Sequence, residues 1–170
     1  KIVSNGNYLG YLEFAGTLGE TPRFDLDIDT EYSFFSVSTD AGSTTTCLVG
    51  VGSNSFFGIQ YGETISSGGE RQLQIKHGTQ TESTSGVLNG ESLISQTYDS
   101  STVNLHLNGE LVGTSEMTVS IPSDNAKIGD NEANLFVGRM KELIICTSDQ
   151  AANREAIEAN IANQYNLTLS

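Results

Sequence analysis

Apolar and polar residues alternate with a period of two along much of this chain, the pattern of a β-strand with one buried face. The clearest case is Thr102–Leu107, in which every second residue is valine or leucine. Asn108-Gly109 follows directly, and the extended pattern resumes at Glu110–Val112. Asn-Gly between such runs is the strongest short-range hairpin signal, because both turn residues must adopt positive φ. The stretch therefore predicts an antiparallel hairpin.

Similar runs occur on both sides of this hairpin and predict an antiparallel β protein. The other predicted strands are Asn7–Phe14, Phe24–Ile28, Tyr32–Val37, Cys47–Val51, Ser55–Tyr61, Gln72–His77, Leu93–Tyr98, Met117–Ile121 and Leu135–Cys146. Two polar stretches, Gly78–Ser85 and Ser123–Asn134, are interpreted as a connection and a long loop. The continuous apolar run Leu143–Cys146 indicates burial on both faces of the last strand.

The last segment has the pattern of one amphipathic helix, predicted at Gln150–Gln164 and capped by Ser148 or Asp149. Its apolar positions repeat at helical spacing and predict a face that packs on the outside of the β body. These positions are Ala152, Ala156, Ile157, Ile161 and Tyr165.

Composition agrees with a single β domain over residues 1–170. The chain has 36% hydrophobic residues, 18 glycines and 2 prolines, the balance produced by short strands joined by polar turns. We therefore predict an all-β, antiparallel sandwich with one short C-terminal helix.

The charge balance excludes several partners. Acidic residues outnumber basic ones 21 to 8, giving a formal net charge of −13. A domain of this sign repels phosphate backbones and anionic membranes, so we expect no nucleic-acid partner. No apolar run approaches the roughly 20 residues needed for a membrane span, so no membrane insertion is expected. The chain starts at Lys1 and shows no signal peptide, which fits either a processed product or part of a longer chain.

The cysteines and histidines carry little chemistry by themselves. Cys47 and Cys146 are the only cysteines, and they are interpreted as buried thiols, with pairing left open. His77 and His106 have no neighbouring metal ligands in the sequence and are interpreted as ordinary surface residues.

The order of these segments resembles the concanavalin A-like superfamily, in particular laminin-G-like jelly rolls. The resemblance rests on the hairpin strand Leu105–Gly109, the final strand Phe136–Ile145 and the tail segment Asp149–Glu158. The tail resembles segments found in phage structural proteins. The resemblance implies a jelly-roll sandwich, and an extracellular or virion-surface localisation.

One acidic strand pattern raises the alternative of an enzyme. Asp25, Asp27 and Asp29 alternate with apolar residues, which spaces carboxylates of one face by about 7 Å. Carboxyl pairs roughly 5–9 Å apart support glycosidic cleavage. Retaining glucanases of the resembled superfamily, however, use glutamate, and this chain has no tryptophan to stack on a sugar. We therefore expect a protein that is not an enzyme, with a glycoside hydrolase as the alternative.

Calcium is the expected metal if one is present, because the resembled domains often hold it at the rim. Asp124, Asn125 and Asp130 lie in a predicted loop and offer the oxygen ligands that Ca²⁺ prefers. Asp and Asn are also common in turns for backbone reasons alone.

Sugar contacts are expected from aromatic residues at strand ends. Tyr61 and Tyr98 end predicted strands, and Asp99 follows Tyr98. A tyrosine ring can stack on a sugar while the carboxylate accepts a hydrogen bond from a sugar hydroxyl. The alternative is that both rings pack inward.

The function predicted from sequence is thus a non-catalytic extracellular or virion-surface module that binds a glycan. A phage decoration or fibre component is the most specific form of this prediction. The second hypothesis is a self-assembling structural protein, a homo-oligomer whose partners are chains like itself.

Overall fold

The structure is a computed structural model that describes the backbone of residues 3–4, 7–8, 12–15, 23–24, 30–40, 46–51, 57–64, 71–77, 80–88, 90–116, 126–129 and 135–170. Side chains are described for residues 30–39, 71–75, 81–88, 90–116, 128–129 and 135–170. The strands are β1 (Val3–Ser4), β2 (Asn7–Tyr8), β3 (Leu12–Ala15), β4 (Arg23–Phe24), β5 (Tyr32–Asp40), β6 (Thr46–Val51), β7 (Phe57–Thr64), β8 (Arg71–His77), β9 (Gln80–Leu88), β10 (Ser92–Tyr98), β11 (Thr102–Leu107), β12 (Glu110–Glu116), β13 (Ala126–Ile128) and β14 (Val137–Cys146). The helix is α1 (Arg154–Tyr165).

The described strands form two six-stranded antiparallel sheets. The first sheet has the order β12-β11-β10-β5-β14-β3, and the second has the order β4-β13-β6-β7-β8-β9. A short ribbon pairs β1 with β2. Strands far apart in sequence are neighbours in the first sheet, since β5 pairs with both β10 and β14. The predicted all-β sandwich is confirmed.

The hairpin predicted at Asn108-Gly109 joins β11 to β12. Asn108 has φ 50° and Gly109 has φ 89°, as the tight turn requires. A bulge between Leu105 and His106 shifts the register of the two strands. The hairpin prediction is therefore confirmed at the level of backbone dihedrals.

The main core lies between the two sheets. The fully buried side chains of β5, β10 and β11 meet those of β8 across this space, because alternate residues of each strand face inward. The buried members are Tyr32, Phe34, Leu73, Ile75, Leu88, Ile94, Tyr98, Val103, Leu105, Phe136 and Met140. Each large apolar side chain buried in this way stabilises the fold by about 1.5–3 kcal/mol.

A second apolar cluster lies on the outer face of the first sheet, beneath α1. Ile161 of the helix is 3% exposed and packs with Phe35, Val37 and Leu93. Ile157 and Tyr165 are partly buried against the same cluster. The helix therefore packs on the outside of the sandwich, as the sequence predicted, although Ala152 and Ala156 are exposed rather than part of the packed face.

The helix begins later than predicted. It starts at Arg154, with Asn153 at the N-cap, and neither Ser148 nor Asp149 caps it. Gln150 N–H donates to the Ser33 hydroxyl of β5 at 2.9 Å, and Asn153 N–H donates to the Gln150 carbonyl at 2.9 Å. This tether to the sheet and the turn that follows it occupy the residues expected to form the first helical turn.

Two stretches predicted as irregular are strands. β9 occupies most of the predicted connection, paired with β8 from His77 opposite Gln80 onward. β13 lies inside the predicted loop and pairs with β4 on one side and β6 on the other. Backbone pairing with neighbours decides both, because their polar or very short sequences carry no alternation signal.

Candidate functional site

The two outer faces of the sandwich differ. α1 covers the outer face of the first sheet through the cluster around Ile161. The described residues include no other helix that would cover the outer face of the second sheet. We call this outer face of the second sheet the open face, and its described side chains include Gln72, Gln74 and Ser83.

The open face presents amide and hydroxyl groups on β8 and β9. In β8, Leu73 and Ile75 are 0% and 1% exposed in the core, so Gln72 and Gln74 lie on the opposite face. Gln74 Nε2 donates to the Ser83 hydroxyl at 3.4 Å, and Gln72 Nε2 donates to the Thr84 carbonyl. Amides and hydroxyls both donate and accept hydrogen bonds, which suits a ligand rich in hydroxyl groups.

The register of the second sheet aligns six residues in one transverse row. Successive strands pair Arg23 with Lys127, Lys127 with Gly50, Gly50 with Gly58, Gly58 with Lys76, and Lys76 with Thr81. Directly paired residues share a face of a sheet. We call this row the basic row.

The basic row belongs to the open face. Its neighbours in sequence, Ile128 beside Lys127 and Ile75 beside Lys76, both pack in the core between the sheets. Successive strand residues occupy opposite faces, so positions 127 and 76 belong to the outer face.

A second group of polar side chains lies beneath α1. Glu158, 1% exposed, accepts hydrogen bonds from the Ser95 hydroxyl and from Arg154 Nη1. His106 lies directly opposite Ser95 in the β10–β11 pair. We call Ser95, His106, Arg154 and Glu158 the helix-base cluster.

The electrostatics of the helix-base cluster follow from its burial. Removal from water raises the pKa of the Glu158 carboxyl, although Ser95 and Arg154 oppose that change. Burial together with the nearby Arg154 charge lowers the pKa of His106 to about 4. His106 is only 8% exposed, so the interpretation as a surface residue is wrong: the helix, which is remote in sequence, covers the polar face of β11. The cluster is largely buried, and its hydrogen bonds attach the helix to the first sheet.

Comparison with protein-family models finds no match, and comparison with curated protein sequences finds none. Solved structures do match. A heptameric SAP-like pentraxin of Limulus polyphemus superposes with a TM-score of 0.64 at 14% identity, covering 84% of this chain and 77% of that one. The CBM40 domain of a Ruminococcus gnavus sialidase superposes with a TM-score of 0.63 at 14% identity, covering 88% of this chain and 95% of that one. Domains LG4-5 of the mouse laminin α1 chain superpose with a TM-score of 0.58 at 10% identity, covering 81% of this chain and 43% of that one.

The chain has a concanavalin A-like jelly-roll fold. The resemblance stated from the hairpin and the final strand is therefore confirmed for the fold. At such low sequence identities, the similarity concerns the fold and does not assign any binding-site residue to this chain.

Of the two tyrosines predicted to contact a sugar, Tyr98 has a described side chain. Tyr98 is 3% exposed, and its ring lies 5.3 Å from that of Tyr32 in the core. This is the inward packing that was the alternative interpretation, and it leaves no exposed ring face for a sugar. Tyr61 lies in β7, opposite Leu73 of β8, and its side chain is outside the described part of the chain.

Asp99 shapes the turn between β10 and β11. Its Oδ1 accepts hydrogen bonds from Thr102 N–H at 2.7 Å, from Ser101 N–H at 3.0 Å and from the Ser101 hydroxyl at 2.9 Å. These donors lower the pKa of the exposed Asp99 carboxyl. These turn hydrogen bonds are a sufficient reason for an aspartate at this position, with no ligand needed to explain it. A role of Asp99 in binding stays a prediction.

The remaining predicted site residues lie outside the described residues. They are the candidate carboxylates Asp25, Asp27 and Asp29 and the candidate calcium ligands Asp124, Asn125 and Asp130. Within the described part of the chain, no three His, Cys, Asp or Glu residues come together to hold a metal ion. Cys146 is a free, half-buried thiol. None of the described helices is long and apolar enough to cross a bilayer.

The open face was not predicted from the sequence, because the residues that form it lie on strands far apart in the chain. The pattern Gln72-Leu73-Gln74-Ile75 predicts a strand with one amide face, and that signal is readable in the sequence. The basic row is not readable there, since its members lie on six strands that only the sheet order brings together.

Proposed function

We propose that this protein is a non-catalytic module that binds carbohydrate on its open face. The observation that carries the proposal is the asymmetry of the sandwich: α1 covers one outer face, and the other presents amide and hydroxyl groups. Supporting it, the Ruminococcus gnavus CBM40 domain of the same fold binds sialyllactose.

Binding would use the groups that β8 and β9 position. The Gln72 and Gln74 amides are half-buried and held by backbone and hydroxyl partners, so little side-chain entropy is lost when a sugar replaces water. Each amide can donate to one hydroxyl and accept from another. Recognition on such a shallow face depends on several such bonds, together with apolar contact at the exposed Val87.

A glycan array followed by affinity measurements on a bound glycan tests the proposal. We expect Gln74→Ala to weaken binding about fivefold, the effect of one lost hydrogen bond of roughly 1 kcal/mol. Thr114→Ala is the matched control, because Thr114 is exposed on the first sheet, where its hydroxyl donates to Asn104. Absence of any glycan ligand, measured with Ca²⁺ and with a chelator, would reject the module.

The absence of catalysis is part of the proposal. It is checked by incubating the protein with each polysaccharide that it binds and measuring reducing ends. Accumulation of reducing ends that Asp27→Asn abolishes would establish the hydrolase alternative instead.

Location and assembly are finer parts of the proposal. The tail segment resembles phage structural proteins, which supports an extracellular or virion-surface module, and detection in purified virions tests the virion form. The similar Limulus pentraxin is heptameric, which supports a homo-oligomer. Light scattering of the purified protein measures the oligomeric state.

A further inference from the structure

From the basic row we infer that the open face selects glycans that carry anionic groups, carboxylate or sulfate, and that these groups bind between Lys76 and Lys127. The inference rests on the proposed carbohydrate binding and adds the class of ligand.

The first argument is the concentration of positive charge. The chain has 8 basic residues, and Arg23, Lys127 and Lys76 fall in one row of one face. In a protein with a formal net charge of −13, three cations in line across a sheet form a local field opposite to that of the whole molecule.

Second, one of the two rows that flank the basic row carries amides and a hydroxyl. Gln60, Gln74 and Ser83 are paired in this next row of the same face, and none of them is charged. The basic row thus lies beside amide and hydroxyl residues, which can donate further hydrogen bonds to an anion bound by the lysines.

The third argument is the pair of glycines at the centre of the row. Gly50 of β6 and Gly58 of β7 lie directly opposite each other, between Lys127 and Lys76. Glycine inside a strand weakens a sheet by about 0.5–1 kcal/mol relative to alanine, and it often marks a place where a ligand approaches the backbone. Two adjacent glycines leave a strip without side chains across the middle of the face.

The dimensions of the strip fit a saccharide chain. Lys127 and Lys76 are separated by three strand spacings of roughly 4.8 Å, or about 14 Å. A polysaccharide can lie over the glycines while its anionic groups reach the flanking cations. Hydrogen bonds between ammonium and carboxylate or sulfate are charge-assisted, stronger than those between neutral groups.

The test measures binding of the full chain to three polymers: polygalacturonate with carboxylates, dextran sulfate with sulfates, and neutral dextran. We expect an anionic polymer to bind at least tenfold more tightly than dextran in low salt, and binding to weaken as salt screens the charges. The more tightly bound anionic polymer identifies the group recognised. Lys76→Gln and Lys127→Gln should each weaken that binding about fivefold or more.

Two further variants separate binding from folding. Gly58→Thr inserts a β-branched residue that suits a strand, so it should block the strip while the thermal midpoint stays the same or rises. Arg139→Gln removes the same charge from β14 in the first sheet, where Arg139 is exposed, and should leave binding unchanged.

The outcomes distinguish this inference from the proposed function. Binding of neutral dextran that is as tight as that of the anionic polymers, and insensitive to Lys76→Gln and Lys127→Gln, overturns the inference and leaves the carbohydrate module standing. Failure to bind any glycan overturns both. Binding of a single-stranded oligonucleotide with the same lysine dependence and equal affinity would overturn selection of saccharides.

Discussion

Asn108 is held by its backbone and by its side chain at once. Its N–H donates to the Leu93 carbonyl at 2.8 Å, and its Oδ1 accepts from Leu93 N–H at 2.9 Å. Its carbonyl accepts from Ser170 N–H at 2.8 Å. With φ at 50°, this residue is in the left-handed region, where asparagine and glycine are favoured. One turn residue thus links β10, the hairpin and the end of the chain.

Two substitutions of Asn108 separate its hydrogen bond from its backbone conformation. Asn108→Gly keeps the positive φ and loses the side-chain acceptor, so we expect about 1 kcal/mol of destabilisation. Asn108→Ala also strains the backbone and should cost about 1 kcal/mol more. Urea denaturation measures both, and equal stabilities of the two variants would show that the dihedral contributes nothing.

His106 is a buried imidazole whose neutral form the fold favours. Its Nδ1 has no hydrogen-bond partner among the described residues, and the Arg154 charge is nearby. Protonation would place a second cation next to Arg154 in a largely buried site. This residue therefore couples folding to acidity.

The stability of the protein should fall in mild acid because of His106. Its pKa is about 4 in the folded protein and ordinarily about 6.5, so the unfolded chain binds the proton first. The contribution is intact above pH 6.5, is lost progressively towards pH 4, and changes no further below that. The loss amounts to at most about 3 kcal/mol.

The comparison with His106→Gln isolates this contribution. The raised pKa of Glu158 acts in the opposite sense, because its protonation relieves a buried charge as pH falls, but this term is present in both proteins. Denaturation of the two proteins from pH 7.5 to 4 should give curves that diverge below about pH 6.5. Parallel curves would contradict a buried neutral imidazole.

At the scale of elements, α1 is attached to the first sheet by two kinds of contact. Ile161 supplies apolar burial over Phe35 and Leu93, and Glu158 supplies hydrogen bonds to β10 and to its own helix. The side chain of the N-cap residue Asn153 accepts no hydrogen bond from the first helical turn, so the helix depends on packing for its stability. The ion pair between Arg154 and the exposed Glu155 adds little.

Replacing Glu158 tests how much the helix-base cluster contributes. Glu158→Ala removes the acceptor for Ser95 and leaves Arg154 without its buried partner, so we expect a loss of about 3 kcal/mol. Glu158→Gln keeps an acceptor oxygen and should cost much less. Glu155→Ala, at an exposed position of the same helix turn, is the control and should change stability by less than about 0.5 kcal/mol. Equal effects of the alanine and glutamine variants would assign the loss to the carboxylate charge, because glutamine keeps both the packing and an acceptor oxygen.

At the scale of the whole molecule, the two sheets are in contact at one edge, where β9 meets β12. The Ser85 hydroxyl donates to the Val112 carbonyl at 3.0 Å across this junction. A Cβ on Gly113 would lie 2.5 Å from Thr84 Cγ2, and one on Gly86 would lie 2.9 Å from Val112 Cγ2. The glycines permit one edge of the sandwich to close, which buries Thr84.

Gly113→Ala should therefore separate the sheets at this edge. We expect about 1–3 kcal/mol of destabilisation, the usual cost of overpacking a dense interior. The double variant with Thr84→Ala should lose less than the sum of the two single variants, because it removes the methyl that the new Cβ meets. Glu116→Ala, exposed on the same strand, is the control. Strict additivity would show that the two residues do not collide.

The local pattern determined the elements whose own residues alternate. β11 and the start of β12 with the Asn108-Gly109 turn, and the helix around Ile157 and Ile161, follow from periodicity and turn chemistry. These are short-range properties, so a single sequence contains them. The sandwich class, and its likeness to jelly rolls, followed from the order of these elements.

Tertiary structure alone decided the strands β9 and β13, the burial of His106 and Tyr98, and the basic row. In each case the deciding partner lies far away in the sequence: a neighbouring strand supplies backbone hydrogen bonds, a helix covers a polar face, or sheet register aligns Lys127 with Lys76. Alternation tells which residues of a strand share a face, but it does not tell what lies over that face. The candidate binding face became visible only when the order of the strands was known, because a surface is built from residues that the chain itself keeps apart.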